Sequence, residues 1–325
     1  MPFGKKSSPE DEQRKIQAQQ DMETSLRSLE AGGLPIQAKR RLSEEVAAGH
    51  PLFTSDLSTN EFLLTRKLGY IPLSQVMGSS TYHVGWQYTR NYSWQTNEFE
   101  LATLTQAHQN ASKLALGRLE QEAALLKAHG VIGVRFIRRN YVWGSDLIEY
   151  TAIGTAIRLP NAPQPQRPFL SDLSGQEFWT LLQAGYYPAG LVTSFCSYCV
   201  SLGTYDTQQL TSWFFGGGFY NQEIVPFTQA IYKARDLGMY RLLESARGRN
   251  ATGVVGMHIE LDKNLEEEEI NDRKYLNFFV HFAAIGTTIS EQKKDHVIPA
   301  PIPTLSFTDL RQDRYEETRE LTIDE

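Results

Sequence analysis

Cysteine is almost missing from this chain, with two in 325 residues, which excludes a disulfide framework. Long apolar runs are missing too. No stretch approaches the roughly 18 consecutive apolar residues that a membrane-spanning helix needs. Positive charge is not in excess: the formal net charge is −6, which gives no electrostatic reason to expect nucleic acid or an anionic membrane as partner. The amino-terminal Met1-Pro2-Phe3-Gly4-Lys5-Lys6 has no apolar segment behind its lysines, so no secretory signal is expected. The seven histidines are scattered, and no Gly-x-Ser-x-Gly, His-Glu-x-x-His or Walker pattern occurs. No enzyme is expected on that basis. Hydrophobic residues at 41% and charged residues at 22% are ordinary for a globular protein. A cytoplasmic, soluble protein of about two domains is the expectation.

What the chain does have is the same text twice. Pro51-Leu52-Phe53-Thr54-Ser55-Asp56-Leu57-Ser58 opens one copy, and Phe169-Leu170-Ser171-Asp172-Leu173-Ser174 opens the other, 116 residues further on. Glu61-Phe62 recurs as Glu177-Phe178, and Gly69-Tyr70-Ile71-Pro72 as Gly185-Tyr186-Tyr187-Pro188. Later, Gly130-Val131-Ile132-Gly133 returns as Gly253-Val254-Val255-Gly256, and Ala152-Ile153-Gly154-Thr155 as Ala284-Ile285-Gly286-Thr287. A repeat this long is a whole small domain.

Each copy reads in the same order. Ser58 with Glu61, and Ser174 with Glu177, fit the capping box that starts a helix, and Gly69 or Gly185 ends it. A strand follows, over about Ile71 to Gln87 and Tyr187 to Leu202. The longest helix is expected over about Glu98 to Lys127 and Pro226 to Arg247. Ala107/Ala230, Ala111/Ala234, Leu114/Leu237 and Leu119/Leu242 share one face that can lie close to a sheet. Gly130 or Gly253 is expected at the helix C′ position. Two strands complete the unit, Val131 to Arg138 and Leu147 to Arg158, then Val254 to Glu260 and Tyr275 to Ile289. Glu266-Glu267-Glu268-Glu269 is expected on a solvated hairpin tip. The glycine pair Gly130-x-x-Gly133 follows a helix and enters a strand, the reverse of a phosphate loop, so it reads as a turn.

Residues 1–20 read as disordered or loosely helical, and 21–50 as a helical hairpin broken at Gly32-Gly33-Leu34-Pro35. The segment from Leu26 to Val46 is similar to the small SHOCT module. Domains are expected at 51–159 and 169–291, joined by a stiff Pro-rich linker at 160–168. A Pro-rich, charged tail occupies 292–325.

A short helix, a strand, a long alanine-striped helix running to Gly-Val-(Ile/Val)-Gly, and a hairpin closing on Ile-Gly-Thr: this order resembles the YbjQ-like family, described as a putative heavy-metal-binding domain. Val76-Met77-Gly78 adds to the match in copy one. The resemblance implies an α+β fold of two tandem dodecin-like domains, each a long helix on a small antiparallel sheet, assembling into rings. Exposed sheet edges and an uncovered sheet face would give such a unit reason to oligomerise.

The family label raises the question of metal. Cys196-Ser197-Tyr198-Cys199 lies in a strand, where residues three apart point to opposite faces. One cysteine could approach His258 and His281 on the later strands, a conceivable soft-metal set; the bland alternative is two buried cysteines. No other cofactor is expected. Arg118 and Arg241 sit beside the helix stripe. Either they hold an anion or a carboxylate from a neighbour, or their stems cover the sheet edge while their heads reach water. Aromatics gather between the first strand and the long helix, Trp86 and Trp94 in copy one, Trp213, Phe214, Phe215 and Phe219 in copy two. They read as an oligomer interface or as a ligand pocket. The expected function is therefore a non-enzymatic, ring-forming homo-oligomeric scaffold, with protein partners recruited by the N-terminal helices or the tail. The alternative is a binding module for a soft metal ion or a flat ligand.

Overall fold

The computed structural model describes residues 9–49, 52–84, 97–140, 147–202, 223–270, 273–291, 306–307 and 319–320. Trp86, Trp94, Trp213, Phe214, Phe215 and Phe219 lie outside the described residues, as does most of the expected tail.

Helix α1 (Pro9–Glu30) and α2 (Ile36–Ala47) form the N-terminal hairpin. It begins earlier than expected, since α1 runs unbroken through the boundary drawn at residue 20. Gly32 takes a left-handed φ of 77° at the turn, and Ser28 Oγ donates to Leu34 O at 2.7 Å. The hairpin belongs to copy one: Leu42 is fully buried in that copy's core, beside Leu73, Val76, Leu119 and Val131.

Copy one then comprises α3 (Thr59–Lys67), β1 (Ile71–His83), β2 (Asn97–Glu100), α4 (Ala102–Leu125), β3 (Gly130–Asn140) and β4 (Leu147–Arg158). Copy two comprises β5 (Phe169–Leu170), α5 (Gly175–Gln183), β6 (Tyr186–Leu202), α6 (Val225–Arg247), β7 (Gly253–Ile270) and β8 (Arg273–Glu291). Both capping boxes form as expected, at Ser58/Glu61 and Ser174/Glu177. Gly69 and Gly185 close their helices at φ 87° and 80°.

Two mixed layers of helix and sheet result. One sheet has the order β1-β4-β3-β5 and the other β2-β6-β8-β7. All pairs are antiparallel except β3 with β5. The long helix of each copy lies on its sheet through a stripe repeating every fourth residue: Ala107, Ala111, Ala115, Leu119 and Ala123 on α4, and Ala230, Ala234, Gly238, Leu242 and Ala246 on α6. Leu114 and Leu237 stand beside this stripe, not in it. Close approach is built differently in the two copies. A Cβ on Gly78 would sit 2.0 Å from Ala115 O. At the matching place in copy two the strand carries Ser194 and the helix carries Gly238, and Ser194 Oγ donates to Gly238 O at 2.6 Å.

Several expected boundaries move. The segment Glu98-Phe99-Glu100 is a strand, not the first turn of α4, because β6 of the other copy supplies its hydrogen-bond partners. Strand β7 continues through the Glu266–Glu269 run, which pairs with Asn277, Leu276, Tyr275 and Lys274; those glutamates lie on a solvated strand, not at a hairpin tip. The left-handed residue after each long helix is Lys127 or Asn250, at φ 55° and 54°, while Gly130 and Gly253 already belong to strands. Gly133 and Gly256, at φ 62° and 64°, are not in turns. Each sits inside a strand where the register slips, a β-bulge. Ser306–Phe307 pairs with Arg319–Glu320 in the tail. Among the described residues no helix is long and apolar enough to cross a membrane.

Candidate assembly interface

The two copies are sewn together by exchanged strands, and this seam is where the chemistry of the chain concentrates. Copy two's opening segment lies along the outer edge of β3 in copy one. Phe169 N–H donates to His129 O at 3.1 Å, and Ser171 N–H to Val131 O at 2.9 Å. The bulge at Gly133 turns two amides toward the incoming chain: Val134 N–H donates to Ser171 O and Gly133 N–H to Leu173 O, both at 2.9 Å. Above this join Phe169 stacks on Phe178 with centroids 5.8 Å apart. Phe178, Ile132 and Ile157 are fully buried together with Tyr70.

In the other direction, β2 of copy one joins the free edge of β6. Leu101 N–H donates to Ser197 O at 2.8 Å, and Ser197 N–H donates to Thr105 Oγ1 at 3.0 Å. Glu100, carried across by β2, accepts two bonds of 2.7 Å from the guanidinium of Arg241. This planar, two-point match between carboxylate and guanidinium fixes the geometry of the join. The Arg241 partnership holds the Glu100 carboxyl below its ordinary pKa, against the opposing effect of burial.

Between the two joins lies a buried polar cluster. His108 of α4 stacks on Phe195 of β6, and its Nδ1 is 2.7 Å from the Tyr150 hydroxyl. Burial, followed by the nearby Arg138 and His281, pushes His108 down to about 3, so the ring is neutral at physiological pH. Arg138 reaches from copy one to Asp262 and Glu260 of β7. His281 Nδ1 lies 3.0 Å from Ser197 Oγ, and burial lowers its pKa. A small cleft of about 30 Å³ opens beside Phe136, Arg138, Tyr150, Phe195, His258 and Glu260, room for one or two water molecules. These groups are engaged with one another across the seam, and the arrangement locks one copy to the other.

The four residues read as a metal set do not converge. Cys196 and Cys199 are both buried and free, on a stretch of β6 without a bulge, pairing with Phe282 and Phe279 of β8. Burial pushes their thiols up to about 11 and about 12, so both stay protonated at neutral pH. His281 pairs with Asp262 of β7, while His258 pairs with Ile285, four residues further along β8. His258 is exposed, with Nε2 3.7 Å from Glu260. Among the described residues no group of three or more His, Cys, Asp or Glu side chains is placed to hold a metal ion.

Arg241 does take up a carboxylate, but from the other copy of its own chain. Arg118, in the same place on α4, donates instead to three carbonyls: Ser79 O at 2.6 Å, Leu29 O at 3.1 Å and Gly33 O at 3.1 Å. Two of these belong to the end of α1 and its turn, where the helix dipole favours a cation. Neither guanidinium is simply a solvated head on a covering stem. The residues missed by sequence reasoning are Glu100, Thr105, His108, Arg138 and Tyr150. Glu100 carried one usable signal, since a second glutamate, Glu223, stands in the same place ahead of α6.

No protein-family model matches the chain, and no solved structure matches it. Among curated proteins, the chain is 38% identical over 225 residues to the encapsulin nanocompartment protein Rv1762c of Mycobacterium tuberculosis (strain ATCC 25618 / H37Rv), an alignment covering 67% of this chain and 82% of that protein. At that identity and coverage the relationship is one of descent, and the chain belongs to the family of this encapsulin nanocompartment protein.

Proposed function

We propose that the chain is a non-catalytic, cytoplasmic structural component of a protein nanocompartment, assembling with further copies of itself. The observation that carries this reading is the family: the relative it matches over most of its length is named an encapsulin nanocompartment protein. The construction of the seam supports it. Two copies of one unit are joined by donated strands, a mode of contact that works as well between chains as within one. In this reading each copy is a dodecin-like unit, and assembly closes into a ring. The N-terminal hairpin is the recruiting element, because Met22 and Leu26, one turn apart on the same face of α1, stand 62% and 50% exposed and offer apolar surface to a partner.

Native mass spectrometry of the purified full-length chain tests this. The expected result is a discrete multiple of the 36.9 kDa chain mass. A single chain at every concentration tried would overturn the reading, and extra mass on each chain would point instead to a bound metal or organic ligand.

A further inference from the structure

The join between the copies uses two surfaces of each unit, and the chain consumes only one of each. Copy two's opening segment is spent on β3 of copy one, while copy one's own opening segment, Phe53-Thr54-Ser55-Asp56-Leu57, pairs with no strand edge of another unit among the described residues. Conversely, β7 stands in copy two where β3 stands in copy one. It ends its sheet, with no described strand on its outer side. We propose that these two leftovers fit each other: the Phe53–Leu57 segment of one molecule lies parallel along the Gly253–Met257 edge of β7 in the next, joining chains head to tail. This inference rests on the assembly reading above and specifies its interface.

Four observations carry it. First, the donor side is preformed. Phe53 stacks on Phe62 with centroids 5.4 Å apart, as Phe169 stacks on Phe178. Ser55 Oγ meets Thr155 Oγ1 at 3.0 Å and accepts from Leu57 N–H, as Ser171 does with Thr287 and Leu173. Yet Phe53 is 42% exposed, and Leu63, next to Phe62 in the chain, 57%.

Second, the acceptor side is preformed and open. Gly256 repeats the left-handed bulge of Gly133, whose amides receive the incoming chain in copy one. Tyr70, Ile132 and Ile157, which Phe178 and Phe169 cover, are buried. Their counterparts Tyr186, Val255 and Ile289 are only half-buried.

Third, Gly253 is a glycine without an internal reason. At Gly130 a Cβ would sit 2.3 Å from the Phe169 ring, so glycine is required there by the docked phenylalanine. At Gly253 a Cβ would meet only Ile289, at an ordinary 3.7 Å. Glycine and phenylalanine are thus both present at a contact that the described residues of the single chain do not make.

Fourth, charge is complementary. Leu182 and Leu159 both pack on the Phe169–Phe178 cluster. Their counterparts across the proposed joint are Arg66 and Glu291, of opposite sign. One position departs from the pattern: Thr59 stands where copy two has Gly175, whose Cβ would fall 2.6 Å from Glu61 Cβ. The two short helices must therefore lie farther apart between chains than within one. Each molecule carries one donor and one acceptor, so addition continues, closing into a ring where the rotation between neighbours divides a full turn.

The test is native mass spectrometry on the full chain and three variants. Gly253→Val adds a side chain whose Cβ the single molecule has room for and the joint does not; it is expected to reduce the multimer to the 36.9 kDa chain. Arg66→Glu is expected to lower multimer occupancy at least tenfold at fixed concentration, and Arg66→Glu with Glu291→Arg to restore it. A wild-type multimer unchanged by Gly253→Val, or a charge reversal that the double exchange does not restore, overturns the head-to-tail joint while leaving assembly intact. A wild type that is a single chain throughout overturns the assembly reading itself.

Discussion

Arg118 and Arg241 occupy the same place on the long helices of the two copies and end in different company. Arg241 is met by Glu100, a carboxylate brought from the other copy on a four-residue strand. Arg118 is met by the carbonyls of the N-terminal hairpin. Both share the carbonyl of the matching strand residue, Ser79 or Phe195. The same socket is thus filled once by a neighbouring repeat and once by an appended element. Duplication made equivalent surfaces, and the chain then treated them unequally: one socket is covered by the N-terminal hairpin and the other by β2, while the outer edge of β3 is paired with β5 and that of β7 has no partner strand among the described residues. The pair Gly78/Ala115 against Ser194/Gly238 teaches a related lesson. In copy one the absent Cβ of Gly78 lets the α4 backbone lie against the strand, whereas in copy two Ser194 bonds to the Gly238 carbonyl and the absent Cβ of Gly238 leaves room for the Phe282 ring.

The largest expected effect comes from breaking that approach. In Gly78→Val the new side chain meets backbone atoms of α4, Ala115 O and Leu119 N, which cannot yield. A loss of about 3 kcal/mol or more is expected in chemical denaturation.

Acid is the next lever. The His108 pKa is depressed to about 3 from 6.5 by burial, then by Arg138 and His281. The unfolded chain therefore binds a proton that the folded chain refuses. The neutral ring's contribution is complete above pH 6.5 and is lost as pH falls toward 3. The expected slope is about 1.4 kcal/mol per pH unit in that window. Unfolding curves of His108→Phe against wild type check it, since the variant should lack that part of the slope.

A smaller change is expected from Glu100→Gln. Both partners of the Arg241 pair are partly exposed, at 32% and 22%, so solvent screening trims the loss to about 1 kcal/mol. The lowered Glu100 pKa places its contribution above the ordinary value of 4.5 and removes it as pH falls through the lowered value. The variant should be insensitive to acid in that range, as read by thermal melts between pH 3 and 5.

The smallest effect separates the two helix ends. Lys127 holds a left-handed φ that costs a lysine more than the matching Asn250. Lys127→Gly is expected to stabilise by about 1 kcal/mol and Asn250→Gly by less, measured by thermal unfolding.

Elements that depend on neighbours in sequence were readable from the sequence. The capping boxes at Ser58 and Ser174, the helix stops at Gly69 and Gly185, the alanine stripe and the bounds of β4 are all fixed by residues within a turn or two of each other. What could not be read is whatever another copy supplies. Glu98-Phe99-Glu100 looks like a helix start until β6 is placed beside it. Gly133 looks like a turn because its bulge is explained only by the segment from Phe169 to Leu173 that docks there. The Glu266–Glu269 run has the composition of a loop, and pairing with β8 overrides that preference. Of the candidate site residues, Arg118 and Arg241 stood out by recurring beside an apolar stripe, but recurrence did not tell their partners apart: Arg241 meets a carboxylate and Arg118 meets carbonyls. His108 and Tyr150 did not stand out, because neither recurs in the other copy and their meeting depends on how the copies are joined.

The most direct test is a cross-link across the proposed joint. Phe53→Cys in one preparation and Gly253→Cys in another are mixed under mild oxidation, with each variant alone as control. In the intrachain join, Phe169 faces Gly130 in register, so the account predicts a disulfide-linked dimer of two chains only in the mixture. Its absence, from chains that native mass spectrometry shows to be multimeric, would contradict the claim that the seam within the chain is the template for the contact between chains.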